Sequence, residues 1–130
     1  MWTKIILVFV GGAFGAIIRE FFMLAVPSVG HDFPLDIFAA NVTAAFILGL
    51  TFGNQRLKNV SDEFVLLVGT GVMGGMSTFS SFVFGAYSEM MATGDLWFGA
   101  IYILLSLVVG YFATLLGVRL AYKRSATSNF

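Results

Sequence analysis

Four long apolar stretches constrain the fold of this 130-residue sequence more than any other feature. They cover residues 5–26, 36–52, 64–91 and 96–120. A helix that crosses a bilayer needs about 20 mostly apolar residues, and its backbone must satisfy its own hydrogen bonds there. Only 11% of the residues are charged, whereas soluble domains contain about a quarter. The pattern therefore predicts one all-α, multi-pass membrane domain over residues 1–130, with four transmembrane helices.

Composition argues against several functional classes. The sequence has no cysteine, which removes disulfides and thiolate metal sites. Seven basic residues balance seven acidic ones, and no basic patch is mixed with aromatic residues, so we expect no nucleic-acid partner. The one histidine, His31, lies in a loop without neighbouring metal ligands. Because no nucleophile–base pair or catalytic motif is present, we predict that the chain is not an enzyme.

The third apolar stretch contains the residues that are most unusual for a membrane span. At its centre stand Gly74, Gly75, Ser77, Thr78, Phe79, Ser80, Ser81 and Phe82. Glycine tolerates backbone angles that break a helix, and hydroxyl side chains can satisfy the freed backbone groups. Since residues 64–91 exceed the length of one straight crossing, we expect a helix broken at mid-membrane between Gly74 and Thr78. Alternatively, the small residues only allow neighbouring helices to pack closely.

Polar residues also occur at membrane depth in the other three stretches. They are Arg19 and Glu20 in the first, Asn41 in the second, and Ser106, Gly110 and Thr114 at four-residue spacing in the fourth. Such residues mark ion pathways or interhelical contacts. A cation pore favours rings of Asp or Glu, which the second and fourth stretches lack at depth. Amide and hydroxyl donors, with the positive edges of phenyl rings, instead favour a small anion.

Three motifs together resemble the Fluc/CrcB fluoride channel family. Residues 74–82 (GGMSTFSSF) are similar to the family's GGxTTFSTF motif, and residues 11–19 (GGAFGAIIR) to its GGxxGxxxR pattern. Asn41 follows two alanines and precedes AFILG at residues 45–49, which resembles the AN…AFxxG pattern of the second span. The resemblance implies a fluoride-selective passive channel in the bacterial inner (plasma) membrane. Such a channel exports cytoplasmic fluoride and so reduces its toxicity.

The resemblance also implies an antiparallel, dual-topology homodimer of four-helix subunits with two fluoride pathways. The pathway residues would be Phe79, Phe82, Asn41, Ser80, Ser106 and Thr114. Arg19 would lie in an aqueous vestibule, and the backbone carbonyls of Gly74 and Ser77 would bind a structural Na⁺ at the dimer interface.

This chain departs from the family pattern at three places. Ser77 replaces the first threonine of the motif, and residues 36–37 (Asp-Ile) replace a Gly-Thr pair at the start of the second span. Gly85 stands where a glutamate is expected, and Glu89 follows one turn later. No site role can therefore be transferred to that glutamate.

Two other functions remain open from the residues alone. A small four-span, proton-coupled multidrug exporter would use Glu20 as its coupling carboxylate, and a helper subunit of a larger complex would transport nothing.

The distribution of basic residues bears on the orientation of the chain in the membrane. Lys4, Arg56, Lys58, Lys123 and Arg124 all fall on one side of the membrane. The positive-inside rule favours a single orientation for such a chain, whereas an antiparallel dimer requires both.

Local signals predict where several elements begin and end. Ser61 and the two acidic residues after it suit the start of the third span, and Asp36 suits the start of the second. Residues 93–95 (Thr-Gly-Asp) predict a turn. We expect the first span to be retained rather than removed as a signal peptide, and residues 125–130 to be disordered.

Overall fold

In the computed structural model, residues 1–26 and 33–127 are described, apart from the side chain of Glu89. These residues form α1 (Trp2–Ala25), α2 (Leu35–Arg56), α3 (Asp62–Phe64), a π-helical segment (Val65–Val72), α4 (Met73–Met76), α5 (Phe79–Thr93) and α6 (Leu96–Thr127). Within these two ranges, the stretches long and apolar enough to cross a membrane are Trp2–Ala25, Leu35–Arg56, Asp62–Thr93 and Leu96–Thr127. The prediction of a helical chain with four membrane spans is confirmed. The loop that holds His31 lies outside the described residues.

Glycines determine how the four spans pack. α1 lies against the π-helical segment and α4 at Gly11 and Gly15, and α2 lies against α6 at Gly49 and Gly117. At each of these positions an added Cβ would collide with backbone atoms of the neighbouring helix. The contacts advance in the same direction along both partners, so the first and third spans run parallel, as do the second and fourth. Small residues thus allow the close helix approach that is common in membranes.

A cluster of buried apolar side chains lies where α2 meets α4. Ala40, Ala44, Met73 and Met76 are all buried there and form one cluster. Elsewhere many large apolar side chains are exposed on the outer helix faces, as expected for a surface that contacts lipid. The buried cluster holds α4, and with it the next two residues of the chain, close to the middle of α2.

Two residues interrupt the helical backbone of the third span. Ser77 (φ −82°, ψ 137°) and Thr78 (φ −140°, ψ 122°) are extended, and α5 begins at the next residue. The interpretation that the chain unwinds at Gly74 and Gly75 was wrong, because both residues lie inside α4. An added Cβ at Gly75 would collide with the carbonyl of Gly12. Gly75 therefore serves close packing against α1.

The predicted helix starts and the turn are confirmed. The hydroxyl of Ser61 accepts a hydrogen bond from the backbone N–H of Phe64 at 3.2 Å and caps the third span. Asp36 lies in the first turn of α2. Gly94 ends α5 with φ 66°, a left-handed conformation that glycine adopts without strain.

The C-terminal ends of two helices lie well beyond the predicted apolar stretches. α2 ends at Arg56 instead of residue 52, and an added Cβ on Gly53 would lie 2.7 Å from the Cβ of Ala121 in α6. α6 continues to Thr127, so the prediction that the chain is disordered from Ser125 onward was wrong for residues 125–127. Residues 128–130 lie outside the described part. The two helices extend beyond the apolar stretches because they remain packed against each other.

Candidate functional site

A groove of about 660 Å³ lies beside the interruption of the third span, between α2, α5 and α6. We call it the Asn41 groove. Its polar and aromatic lining includes Asn41, Ser77, Thr78, Phe79, Phe82, Ser106, Tyr111 and Thr114. The structure therefore brings together five of the six predicted pathway residues. The sixth, Ser80, lies in an adjoining groove.

The backbone of Thr78 fixes the orientation of the Asn41 amide. The Oδ1 atom of Asn41 accepts a hydrogen bond from the Thr78 N–H at 3.3 Å. Because a backbone N–H can only donate, the side-chain atom that faces it must be the carbonyl oxygen. The Nδ2 group of Asn41 then keeps both of its protons without a partner among the described residues. Asn41 thus offers the groove a donor whose orientation is fixed by the fold.

The same interruption leaves two backbone carbonyls without helical donors. In a continuous helix, the carbonyls of Gly74 and Ser77 would accept hydrogen bonds from the N–H groups of Thr78 and Ser81. Those N–H groups donate instead to Asn41 Oδ1 and to Thr78 Oγ1, at 3.3 and 3.4 Å. Within residues 1–26 and 33–127, no backbone N–H donates to either carbonyl. Gly74 and Ser77 are both exposed, so two unsatisfied oxygen acceptors lie at the surface of the chain.

The two hydroxyls of α6 that line the groove differ in what they can donate. Ser106 Oγ is buried and has no hydrogen-bond partner among the described residues, which is uncommon for a buried hydroxyl. Thr114 Oγ1 lies 3.0 Å from the Gly110 carbonyl and 3.2 Å from the Ala45 carbonyl. Its single proton therefore already goes to backbone oxygen. Ser106 keeps a free donor, whereas Thr114 would have to break a contact to bind an ion.

Aromatic rings form one wall of the groove. The ring centroids of Phe79 and Phe82 are 6.2 Å apart, so these residues lie on one face of α5 as their spacing predicts. Phe82 also contacts the buried Tyr102, with centroids 5.5 Å apart. Phe79 is 79% exposed and has little protein on its outer side. Phenyl rings carry a positive edge that attracts anions without holding them as a full charge would.

Two predicted residues lie away from this groove. Ser80 Oγ is 2.9 Å from Thr78 Oγ1 and lines a second groove on the other side of α5. Arg19 is half-buried on α1, and its Nε atom is buried without a hydrogen-bond partner among the described residues. No group of three or more metal-ligating side chains was found in the described part of the chain.

Sequence reasoning did not identify the central role of Thr78. This residue donates its N–H to Asn41, and its side chain accepts from Ser81 as the N-cap of α5. The available signal was a threonine directly before a resumed apolar run, which is typical of an N-cap. The contact with Asn41 joins residues 37 positions apart and has no local signature.

Comparison with known proteins shows which family this chain resembles. The profile of the family described as "CrcB-like protein, Camphor Resistance (CrcB)" matches residues 6–118. The chain is 51% identical over 123 residues to a protein named fluoride-specific ion channel FluC 3 of Yersinia pseudotuberculosis, covering 95% of this chain and 92% of that relative. It is 38% identical over 114 residues to the fluoride-specific ion channel FluC of Ignicoccus hospitalis, covering 88% and 91%.

A longer relative gives the same assignment. The chain is 46% identical over 124 residues to fluoride-specific ion channel FluC 1 of Brucella abortus. The match covers 95% of this chain but spans only 46% of that relative's length. With the family profile matched over most of its length, this chain belongs to the CrcB family.

Proposed function

We propose that this chain is a passive, fluoride-selective channel of the bacterial inner membrane that exports cytoplasmic fluoride and so reduces its toxicity. The names of its relatives support fluoride as the ion. The observation that carries the proposal is the Asn41 amide, whose Oδ1 is held by Thr78 and whose Nδ2 remains unpaired in the groove.

The groove provides several weak donors for an anion. Removing a small anion from water costs tens of kcal/mol by a Born estimate, so several groups must replace its hydration shell. Asn41 Nδ2, Ser106 Oγ and the ring edges of Phe79 and Phe82 supply such groups. The lining contains no Lys or Arg side chain. The ion is therefore held weakly enough to leave again, as conduction requires.

An antiparallel homodimer would complete the pathway. The Asn41 groove is open along one side, and Phe79 is 79% exposed, so one chain does not enclose the ion. A second copy would close the groove. Arg19, outside the groove, would raise the local anion concentration in the aqueous vestibule by its positive charge.

The surface carbonyls of Gly74 and Ser77 fit a structural Na⁺ between the two copies. Both are unsatisfied oxygen acceptors, and hard cations prefer oxygen ligands. Two carbonyls from each copy would hold the ion, which would supply the positive charge that joins neutral carbonyls across the interface.

The proton-coupled exporter has less support. Its coupling carboxylate, Glu20, is exposed on α1 and is not among the residues that line the Asn41 groove. The relatives are also named ion channels. In an exporter, Glu20→Gln would abolish transport, whereas in the proposed channel fluoride flux stays close to that of the wild type.

Efflux from liposomes tests the proposed function. Vesicles with the purified protein are loaded with potassium fluoride or potassium chloride, and a potassium ionophore balances the charge. We expect fluoride to leave and chloride to stay. Equal leakage of the two anions would reject fluoride selectivity, and the absence of any flux would favour a helper subunit.

A further inference from the structure

A second groove adjoins the Asn41 groove. It has a volume of about 480 Å³, and its oxygen-bearing side chains are Asp36, Ser80, Ser81 and Ser88. We call it the Asp36 groove. Of the residues that line it, Ser80 is the one that the resemblance assigns to the fluoride pathway. Its composition differs from that of the Asn41 groove, because it contains a carboxylate and lacks an amide.

The two grooves meet at one pair of hydroxyls. Thr78 lines the Asn41 groove, Ser80 lines the Asp36 groove, and their side-chain oxygens are 2.9 Å apart. From this pair the Asp36 groove follows α5 toward Ser88, and the Asn41 groove follows α6 toward Thr114. α5 and α6 run in opposite directions, since Phe82 contacts Tyr102 whereas Met90, later in α5, lies against Gly99, earlier in α6.

The grooves therefore extend toward opposite ends of the molecule. Joined at the Thr78–Ser80 pair, they would give an ion a route that begins near the start of α2 and ends near the C-terminal half of α6.

Among the described residues that line the two grooves, Asp36 is the one with a charged side chain. It is half-buried in the first turn of α2, and no other Asp, Glu, Lys or Arg is found among the residues that line the two grooves. Within the described part of the chain, its carboxylate has no hydrogen-bond or ion-pair partner. Gly85 lines the same groove and contributes no side chain. An anion on this route would meet the negative charge of Asp36.

We propose that the Asp36 groove is a second mouth of the fluoride pathway and that the negative charge of Asp36 limits the rate at which fluoride passes. This inference rests on the proposed function. For an anion roughly 8 Å from the carboxylate, Coulomb repulsion corresponds to about a two- to thirtyfold change in rate, depending on the effective dielectric constant.

Removal of this charge tests the proposal. In fluoride-loaded liposomes, Asp36→Asn raises efflux about two- to thirtyfold, whereas Asp36→Glu, which keeps the negative charge, gives no such increase. The matched control is Asp95→Asn, at the same end of the molecule but outside both grooves. Asp95 Oδ1 accepts a hydrogen bond from the Trp97 N–H at 2.9 Å, and asparagine caps helices equally well. The control variant therefore keeps the wild-type rate.

Ionic strength separates a charge effect from a structural one. The Debye length falls from about 10 Å at 0.1 M salt to about 3 Å at 1 M. The excess efflux of Asp36→Asn therefore shrinks in 1 M non-permeant salt. An Asp36→Asn protein that inserts normally but conducts at or below the wild-type rate overturns the proposal, as does an increase that is independent of salt.

A second variant covers the case in which Asp36→Asn does not fold. Ser88→Asp adds a carboxylate to the same groove, and we expect it to lower fluoride efflux in a salt-dependent way. An unchanged rate in that variant overturns the proposal. Absence of flux from the wild type would instead contradict the proposed function, so the two failures are distinguishable.

Discussion

At the scale of single residues, Asn41 joins the fold to the proposed function. Its carbonyl oxygen accepts the Thr78 N–H that would otherwise continue the helix of the third span. Its amide nitrogen is left for the groove. One side chain thus stabilises the interruption and provides a donor beside it, and the two roles can be separated by measuring stability together with flux.

We predict that Asn41→Ala lowers fluoride efflux roughly ten- to a hundredfold, because a hydrogen bond to a charged group contributes about 1.5–3 kcal/mol. The variant is also less stable by about 1–3 kcal/mol, since the Thr78 N–H loses its acceptor. Liposome efflux and thermal unfolding in detergent measure the two effects.

The matched control for this prediction is Asn54→Ala on the same helix. Asn54 Nδ2 donates to the Leu50 carbonyl at 2.8 Å and lines neither groove. Its removal leaves efflux unchanged. Equal efflux from Asn41→Ala and the wild type would show that the amide only supports the fold.

At the scale of the helices, local sequence predicts the existence of the spans better than their ends. Apolar length is a local property, so four spans could be recognised directly. The ends of α2 and α6 depend on contacts between them, such as that of Gly53 with Ala121, which no local pattern records. The interruption covers only Ser77 and Thr78 of the predicted range Gly74 to Thr78 for a similar reason, because Gly75 is used for contact with α1.

The sequence likewise predicted the local features of the candidate site but not its tertiary contacts. Helical spacing placed Phe79 near Phe82 and aligned Ser106 with Thr114, and the structure agrees. The contact of Asn41 with Thr78 depends on the packing of α2 against α4, and the common groove of Asp36 and Ser80 depends on the position of α2 relative to α5. Tertiary contacts of this kind have no signature in the spacing of residues along the chain.

We predict that Gly15→Ala lowers thermal stability although alanine favours helices. The new Cβ would collide with the Val72 carbonyl and lie 2.8 Å from the Met76 nitrogen, and overpacking typically costs about 1–3 kcal/mol. The control is Gly110→Ala, where no atom lies within 4 Å of the added Cβ. Thermal unfolding should show a loss for the first and none for the second. Equal stability would contradict the packing role of Gly15.

At the scale of the whole molecule, the distribution of charge distinguishes the two ends. The N-terminus of α1 and the C-termini of α2 and α6 lie at one end, because alternate spans run parallel. That end carries the basic residues Lys4, Arg56, Lys58, Lys123 and Arg124. Asp36 and Asp95 lie at the opposite end. An antiparallel dimer would place one basic end on each side of the membrane, against the positive-inside rule.

Orientation can be measured with a single introduced thiol, since the chain has no cysteine. Ser125→Cys places the thiol in the last turns of α6, at the basic end. If the homodimer is antiparallel, a membrane-impermeant reagent added to intact spheroplasts labels about half of the protein. The cysteine-free wild type provides the background. Labelling of none or all of the protein would exclude dual topology.

The most direct test of the complete account is fluoride efflux from liposomes with Phe79→Ile, Phe82→Ile and the wild type in parallel. We predict that each substitution lowers fluoride efflux roughly two- to tenfold, because an aliphatic side chain has no ring edge to face the ion. Phe14→Ile is the control, since Phe14 is exposed on α1 and lines neither groove. Unaltered efflux in both groove variants would contradict the assignment of this groove as the fluoride pathway.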